Sequence, residues 1–211
     1  MLIWIISSLT PQEIHERIMS GESEFVKRLI AYLENVHTGD FLTGSHNEVI
    51  ENVSTIKNYK TPIETMPEPP PKCTCMLLSE VHAGTCSYEI WYKKYKLTVD
   101  DIVLKSNVHK CTYVGCLDNK YGKCRARFPR LTYSESTADL NTGTLYLKKK
   151  EAWINTFTPV ISYLFRCNTD ITSLKSGTAV KSVIQYVTNY ITKSSLKTHT
   201  MFEIIKSVFD K

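Results

Sequence analysis

Long apolar runs are missing from this sequence: no stretch reaches the roughly 18–20 residues that a membrane-spanning helix needs. The opening MLIWIISSL has no basic start, and its apolar run is too short for a secretory leader. There is no glycine-rich phosphate loop of the GxxxxGK[ST] kind, and no internal repeat. None of the six histidines belongs to a His-x-His pair. Excess charge of one sign is small, at +5 with a pI near 8.7. That balance is compatible with a nucleic-acid partner without requiring one. We therefore expect no membrane partner and an intracellular, reducing setting. There, clustered cysteines favour metal over disulfides.

What is present is enough for one domain, or a domain with a small module: 211 residues, 42% hydrophobic. Leu2 to Ile6 reads as a short buried strand. Thr10-Pro11-Gln12-Glu13 has the residues of a helix start, with Thr as N-cap and Glu closing a capping box, and predicts a helix to about Met19. Ser23 can cap a second helix, with Phe25, Leu29, Tyr32, Leu33 and Val36 at helical spacing, ended by His37-Thr38-Gly39. Residues 38–60 are polar with weak periodicity and read as loop. Five of the eight prolines lie from Pro62 to Pro71, which predicts an extended, stiff linker.

Beyond it, Tyr88 to Tyr95 is aromatic-rich and reads as helical. Thr98-Val99-Asp100-Asp101 suggests another short helix, and Ile102 to Leu104 a strand. Leu145 to Leu147 reads as a strand after the Asn141-Thr142-Gly143 turn. Val160 to Phe165 is apolar, Cys167 to Ile171 reads as a strand with Cys167 in the core, and Met201 to Phe209 as a final amphipathic helix.

His109-x-Cys111-x4-Cys116-x7-Cys124 places four soft or borderline ligands in a short span. Zinc takes four such ligands tetrahedrally at about 2.0–2.3 Å. From 109 to 130 there are six Lys or Arg and one Asp, so a knuckle here, with Arg125, Arg127 and Arg130 on it, suits phosphates. The competing reading makes these cysteines small buried hydrophobes. Cys73-x-Cys75-x6-His82-x3-Cys86 is a second four-residue set, and the two sets have the composition to exchange members.

Around Gln185 to Lys193 the spacing predicts a helix. At about 100° per residue, Val180, Val183, Ile184, Val187 and Ile191 form one apolar stripe, while Tyr186, Tyr190 and Lys193 cluster on its flank. A phenol can attack a phosphodiester and hold the cut end as an ester. With an unperturbed pKa of about 10 it needs a metal or a cation to help. Tyrosines at such a boundary also serve simply as packing. Asn168 and Asp170 precede this helix and either orient a substrate or close a turn.

The stretch TPVISYLFRCNTDITSLKSGTAVKSVIQYVTNYITK resembles the two-tyrosine segment of the replication-initiator nuclease of Helitron rolling-circle transposons. SNVHKCTYVGCLDNKYGKCRARFPR and DLNTGTLYLKKKEAWINTFTP resemble the same family, especially its fungal members. The resemblance implies that Tyr186 and Tyr190 are nucleophiles acting on single-stranded DNA, that Lys193 contacts the scissile phosphate, and that the setting is nuclear. It also implies a Mg²⁺ or Mn²⁺ ion held by a His-x-His pair, which would fall just before Met1 and is absent here. The fused C-terminal helicase of the full family proteins is missing too.

We therefore expect an α+β fold, with a small mostly antiparallel sheet carrying the tyrosine helix and a Cys/His-rich, zinc-binding insertion. The expected division is 1–60 for a truncated N-terminal part of the nuclease and 61–72 for the Pro-rich linker. Residues 73–130 form the basic insertion, and 131–211 the C-terminal part. The expected function is a fragment of a Helitron-like initiator endonuclease, inactive alone. The alternatives are a zinc-stabilised nucleic-acid-binding module without catalysis, or a transposon relic.

Overall fold

The computed structural model describes residues 9–55, 60–72 and 86–171, with positions 181, 183–185, 187 and 188. The chain forms two compact units, one of Met1–Arg17 with Ser173–Lys211 and one of Ile18–Thr172. Helix α1 (Pro11–Met19), whose residues up to Arg17 belong to the first, begins as its sequence dictates. The Thr10 hydroxyl accepts from the Glu13 N–H at 3.2 Å, and the Glu13 carboxylate accepts from the Thr10 N–H at 2.6 Å. Two otherwise orphaned donors are thereby met reciprocally. The described positions of 181–188 are helical, and Val183, Ile184 and Val187 of the expected packing stripe are exposed. Periodicity defines an apolar face; it does not supply a surface to cover it. Tyr186, Tyr190 and Lys193, the Leu2–Ile6 strand and the Met201–Phe209 helix lie outside the described residues.

The second unit is built on helix α4 (Ser87–Ser106). Helices α2 (Ser23–Val36), α3 (His46–Ser54) and α5 (Pro159–Phe165) complete its helical part. The core joins Val49 of α3, Tyr95, Val99 and Val103 of α4 and Tyr163 of α5 to Phe41, Ile154 and Phe157 from the connecting segments. The α4 residues are spaced by four, so they share one face. Burying each large side chain contributes about 1.5–3 kcal/mol.

Asp100 is fully buried beside this face. Its carboxylate accepts from the Leu42 N–H at 2.7 Å and from the Thr43 N–H and hydroxyl at 2.8 and 2.5 Å. These bonds tie the segment before α3 to α4. A two-stranded antiparallel sheet pairs β1 (Thr137–Asp139) with β2 (Thr144–Tyr146), with Ala138 opposite Leu145. Asp139 closes the turn by accepting from the Asn141 N–H and the Thr142 hydroxyl, and Gly143 takes the φ of 62° that the turn requires. Three isolated bridges, Thr38 with Phe157, Val108 with Ile154 and Tyr133 with Lys149, add short pairings. The fold class is α+β.

Several expectations give way. Residues 38–60 are not all loop: Ser45 and Glu48 form a capping box that starts α3. The helix then runs on in spite of its weak apolar pattern. Glu22, not Ser23, occupies the N-cap position of α2. The Pro-rich segment is extended after a short 3₁₀ turn at Pro62–Glu64, but it is docked. The Trp91 indole N–H donates to the Glu68 carbonyl at 3.1 Å, and the Tyr163 hydroxyl both donates to that carbonyl and accepts from the Glu68 N–H. The expected second helix and strand after Thr98 are one continuous α4. No Gly or Pro interrupts it, and burial of Ile102 and Val103 overrides their preference for strands. Residues 167–171 form no strand, and Cys167 is exposed rather than core. The 160–165 run is helix, started by Pro159 at its first turn.

Replacing Asp100 with Ala leaves two buried N–H groups unpaired and is expected to cost about 3 kcal/mol of stability, read as a lower urea midpoint. Thr43→Val, which removes one donor, is expected to cost less. Asp101 gives a pH signature. Burial pushes its carboxyl up to about 6, above the value near 3.9 of an unfolded chain. Between those values the native state holds the extra proton, so stability falls as pH rises from about 4 to 6. Urea titrations across that range are expected to show a flatter profile for Asp101→Asn.

Candidate metal centre

His109 leaves the end of α4 on a rigid support. The Val108–Ile154 bridge and a bond from the His109 N–H to the Trp153 carbonyl at 2.8 Å hold its backbone. Cys116 sits in a single π-helical turn, Tyr113–Leu117, whose start is capped by the Thr112 hydroxyl accepting from the Gly115 N–H. A Cβ on Gly115 would meet that hydroxyl oxygen at 2.6 Å, so the cap requires glycine there. The Asn119 side chain then donates to the carbonyls of Cys116 and Lys123 at 2.9 and 2.7 Å. The Arg125 N–H donates to the Cys116 carbonyl at 3.1 Å. These bonds fold the loop back so that Cys124 returns to Cys116.

The result brings four side chains together. The ligating atoms of His109, Cys111, Cys116 and Cys124 all lie within 4.8 Å of one another. His109 Nε2 is 3.4 Å from Cys116 Sγ and 3.2 Å from Cys124 Sγ. In a tetrahedral Cys₃His zinc site, bond lengths near 2.0 and 2.3 Å imply N···S edges of about 3.5 Å. The cluster can therefore hold a metal ion such as zinc with little rearrangement. His109, Cys116 and Cys124 are half-buried and Cys111 is exposed.

The sulfurs differ electrostatically. Desolvation pushes the Cys111 thiol up to about 11, reinforced by its neighbours Cys124 and Cys116. Desolvation also acts upward on Cys124. There it is outweighed by hydrogen bonds from the Phe128 and Ala126 N–H groups and from Cys111 and Cys116, so that thiol lies below its ordinary value. Backbone N–H groups aimed at a sulfur stabilise the thiolate, the form that binds metal.

The basic residues flank the cluster. Arg125 and Arg127 are exposed and Arg130 is half-buried. An Arg125 N–H donates to the Asp118 carbonyl, and Arg127 adopts a φ of 61°. Phe128 links the two: the His109 ring stacks on it at 4.3 Å, and the Arg130 guanidinium lies 4.6 Å from its centroid. A cavity of about 980 Å³ opens here, lined among others by Cys111, Cys124, Tyr121, Arg125, Arg127 and Trp153.

The structure thus unites the predicted ligand set and places two of the three arginines at its rim. Of the second set, Cys73, Cys75 and His82 lie outside the described residues, while Cys86 is buried at the start of α4. Sequence reasoning missed Phe128 as the link between ligand and arginine, and it missed Lys149 and Asn155 beside Arg130. The triple lysine 148–150 hinted at charge, but nothing in it marked the middle lysine as the buried one. No protein-family model, curated protein or solved structure matches the chain.

Protein purified without chelator is expected to carry about one metal ion per chain at this cluster, measured by plasma mass spectrometry. Cys111→Ser or Cys124→Ser should lose most of it. Full retention by both variants would remove the cluster as the site.

Proposed function

We propose that residues 109–130 form a zinc-stabilised knuckle that holds single-stranded DNA within a Helitron-type initiator nuclease. The observation that carries this reading is the convergence of one histidine and three cysteines within 4.8 Å in a loop bearing six basic residues and one acidic residue. Bound zinc would supply cross-linking, not chemistry: four ligands on a short loop replace the core that such a loop lacks. Arg125 and Arg127 then meet backbone phosphates, and exposed Tyr121 and half-exposed Trp153 offer faces on which bases stack.

The resemblance of residues 158–193 supports a nicking role in the complete nuclease. Tyr186 or Tyr190 attacks a DNA phosphate, leaving a 5′-phosphotyrosine bond and a free 3′-hydroxyl, with Lys193 at the phosphate. The second tyrosine serves the second transfer. The Mg²⁺ or Mn²⁺ that assists this chemistry needs a His-x-His pair, which these 211 residues do not contain. The chain by itself therefore binds DNA without cutting it.

The zinc-loaded chain is expected to bind an oligothymidylate with an affinity that falls steeply with salt, measured by fluorescence anisotropy, and to lose binding in Cys124→Ser. A nicking assay with Mg²⁺ or Mn²⁺ should yield no covalent adduct. An adduct lost in the double variant Tyr186→Phe, Tyr190→Phe would instead show the chain to be catalytic as it stands. Absence of both zinc and DNA binding would leave only a relic.

A further inference from the structure

Behind the knuckle lies a smaller cavity, of about 450 Å³, whose lining is cationic: Arg127, Arg130 and Lys149, with Asn155 and a single carboxylate, Asp170. Lys149 is the unusual member. It is only 8% exposed, and its ammonium donates a single hydrogen bond, to the Ile154 carbonyl at 2.7 Å. An ammonium has three donors, so two have no hydrogen-bond partner among the described residues, and a buried cation left so is costly. Among the described residues no carboxylate lies within ion-pair distance of Arg127, Arg130 or Lys149; Asp40, Asp170 and Glu151 act on Lys149 only from further away.

The three cations do not meet by accident of a floppy surface. Lys149 is held by the two-way backbone pairing of Tyr133 with Lys149, at 2.8 and 2.9 Å. Its stem also crosses Gly39 so closely that a Cβ there would lie 2.7 Å from it. The Arg130 backbone N–H donates to the Ala152 carbonyl at 2.8 Å, and its guanidinium donates to Asn155 Oδ1 at 3.2 Å while facing Phe128. Arg127 is turned toward the cavity from a left-handed backbone position that a non-glycine residue rarely takes. Cations lining one cavity, with Arg130 and Lys149 held by backbone bonds and packing, form a preorganised receptor for an anion with several acceptor oxygens.

We propose that this cavity is a phosphate-binding site that seats one backbone phosphodiester of the single strand held by the knuckle. The inference rests on the DNA-binding reading above and adds its anchoring residues. Lys149 and Arg127 bond the two non-bridging oxygens. Arg130 sets the register, because its guanidinium shares the Phe128 ring with the zinc ligand His109. A strand that runs from Tyr121 and Trp153 into this cavity passes Arg127, the one cation lining both cavities.

The test uses zinc-loaded full-length chain, oligothymidylate and inorganic phosphate as probes, and the variants Lys149→Met and Arg127→Asn. Asn tolerates the left-handed backbone, and Arg127 is exposed, so this second variant keeps the test open if Lys149→Met folds poorly. Each variant is expected to weaken oligonucleotide binding about tenfold and to flatten the log K against log salt slope by about 0.7, the value for one single-strand phosphate. Lys27→Gln on α2 should leave both unchanged. Inorganic phosphate should bind the parent saturably by calorimetry and should not bind Lys149→Met. If the parent binds DNA but neither variant changes the slope, the phosphate site falls and the knuckle reading stands. If phosphate binds while the parent ignores DNA, both the strand-anchoring role and the DNA reading fall. If the parent binds neither probe, the site is refuted outright.

Discussion

The pairing of residues 108–109, just past α4, with residues 153–154 ties the core of the larger unit to the candidate metal site. The Val108–Ile154 bridge and the His109 bond to Trp153 join the longest helix to the segment that fills the core with Ile154 and Phe157. The same few hydrogen bonds aim His109 outward. Once they form, the histidine has lost its backbone freedom, and ordering it against a metal costs little further entropy. A single isolated bridge is enough here, because both partners are anchored by buried side chains beyond it.

Polar groups on or bonded to α4, Asp100 buried and Glu68 exposed, supply the rest of the specification. Asp100 collects three donors from the chain before α3. Glu68 is held by Trp91, Lys94 and Tyr163. Each closes a long loop onto α4 and gives a segment with little apolar surface of its own one permitted position. The desolvation that such groups suffer is visible in the raised pKa of Asp101 and the lowered pKa of Lys149. Directional bonds to backbone, rather than additional apolar area, make the loops of this small unit unique.

The Phe128 ring gives the site its mechanical logic. The ring packs against His109, a candidate metal ligand, and against the Arg130 guanidinium. The placements of His109 and of Arg130 thus depend on one shared ring. A loop organised this way can present positive charge in a fixed pattern without a sheet beneath it. Under the function proposed above, such a pattern would suit a flexible polyanion, whose own ordering is the main cost of binding.

The sequence alone determined the local features: the Thr10 capping box, the end of α2 at His37, the Asn141–Gly143 turn and the identity of four metal-ligand candidates. All depend on residues within a few positions of each other, or on ligand chemistry that no fold alters. The resemblance to Helitron initiators rests on sequence as well, and its two tyrosines lie outside the described residues. Only the tertiary structure decided that α4 is one helix, that the proline segment is docked, that Cys167 is exposed and that Lys149 is buried beside two arginines. Those outcomes turn on contacts between residues tens of positions apart, and helical or strand periodicity carries no information about which distant surface will cover a face.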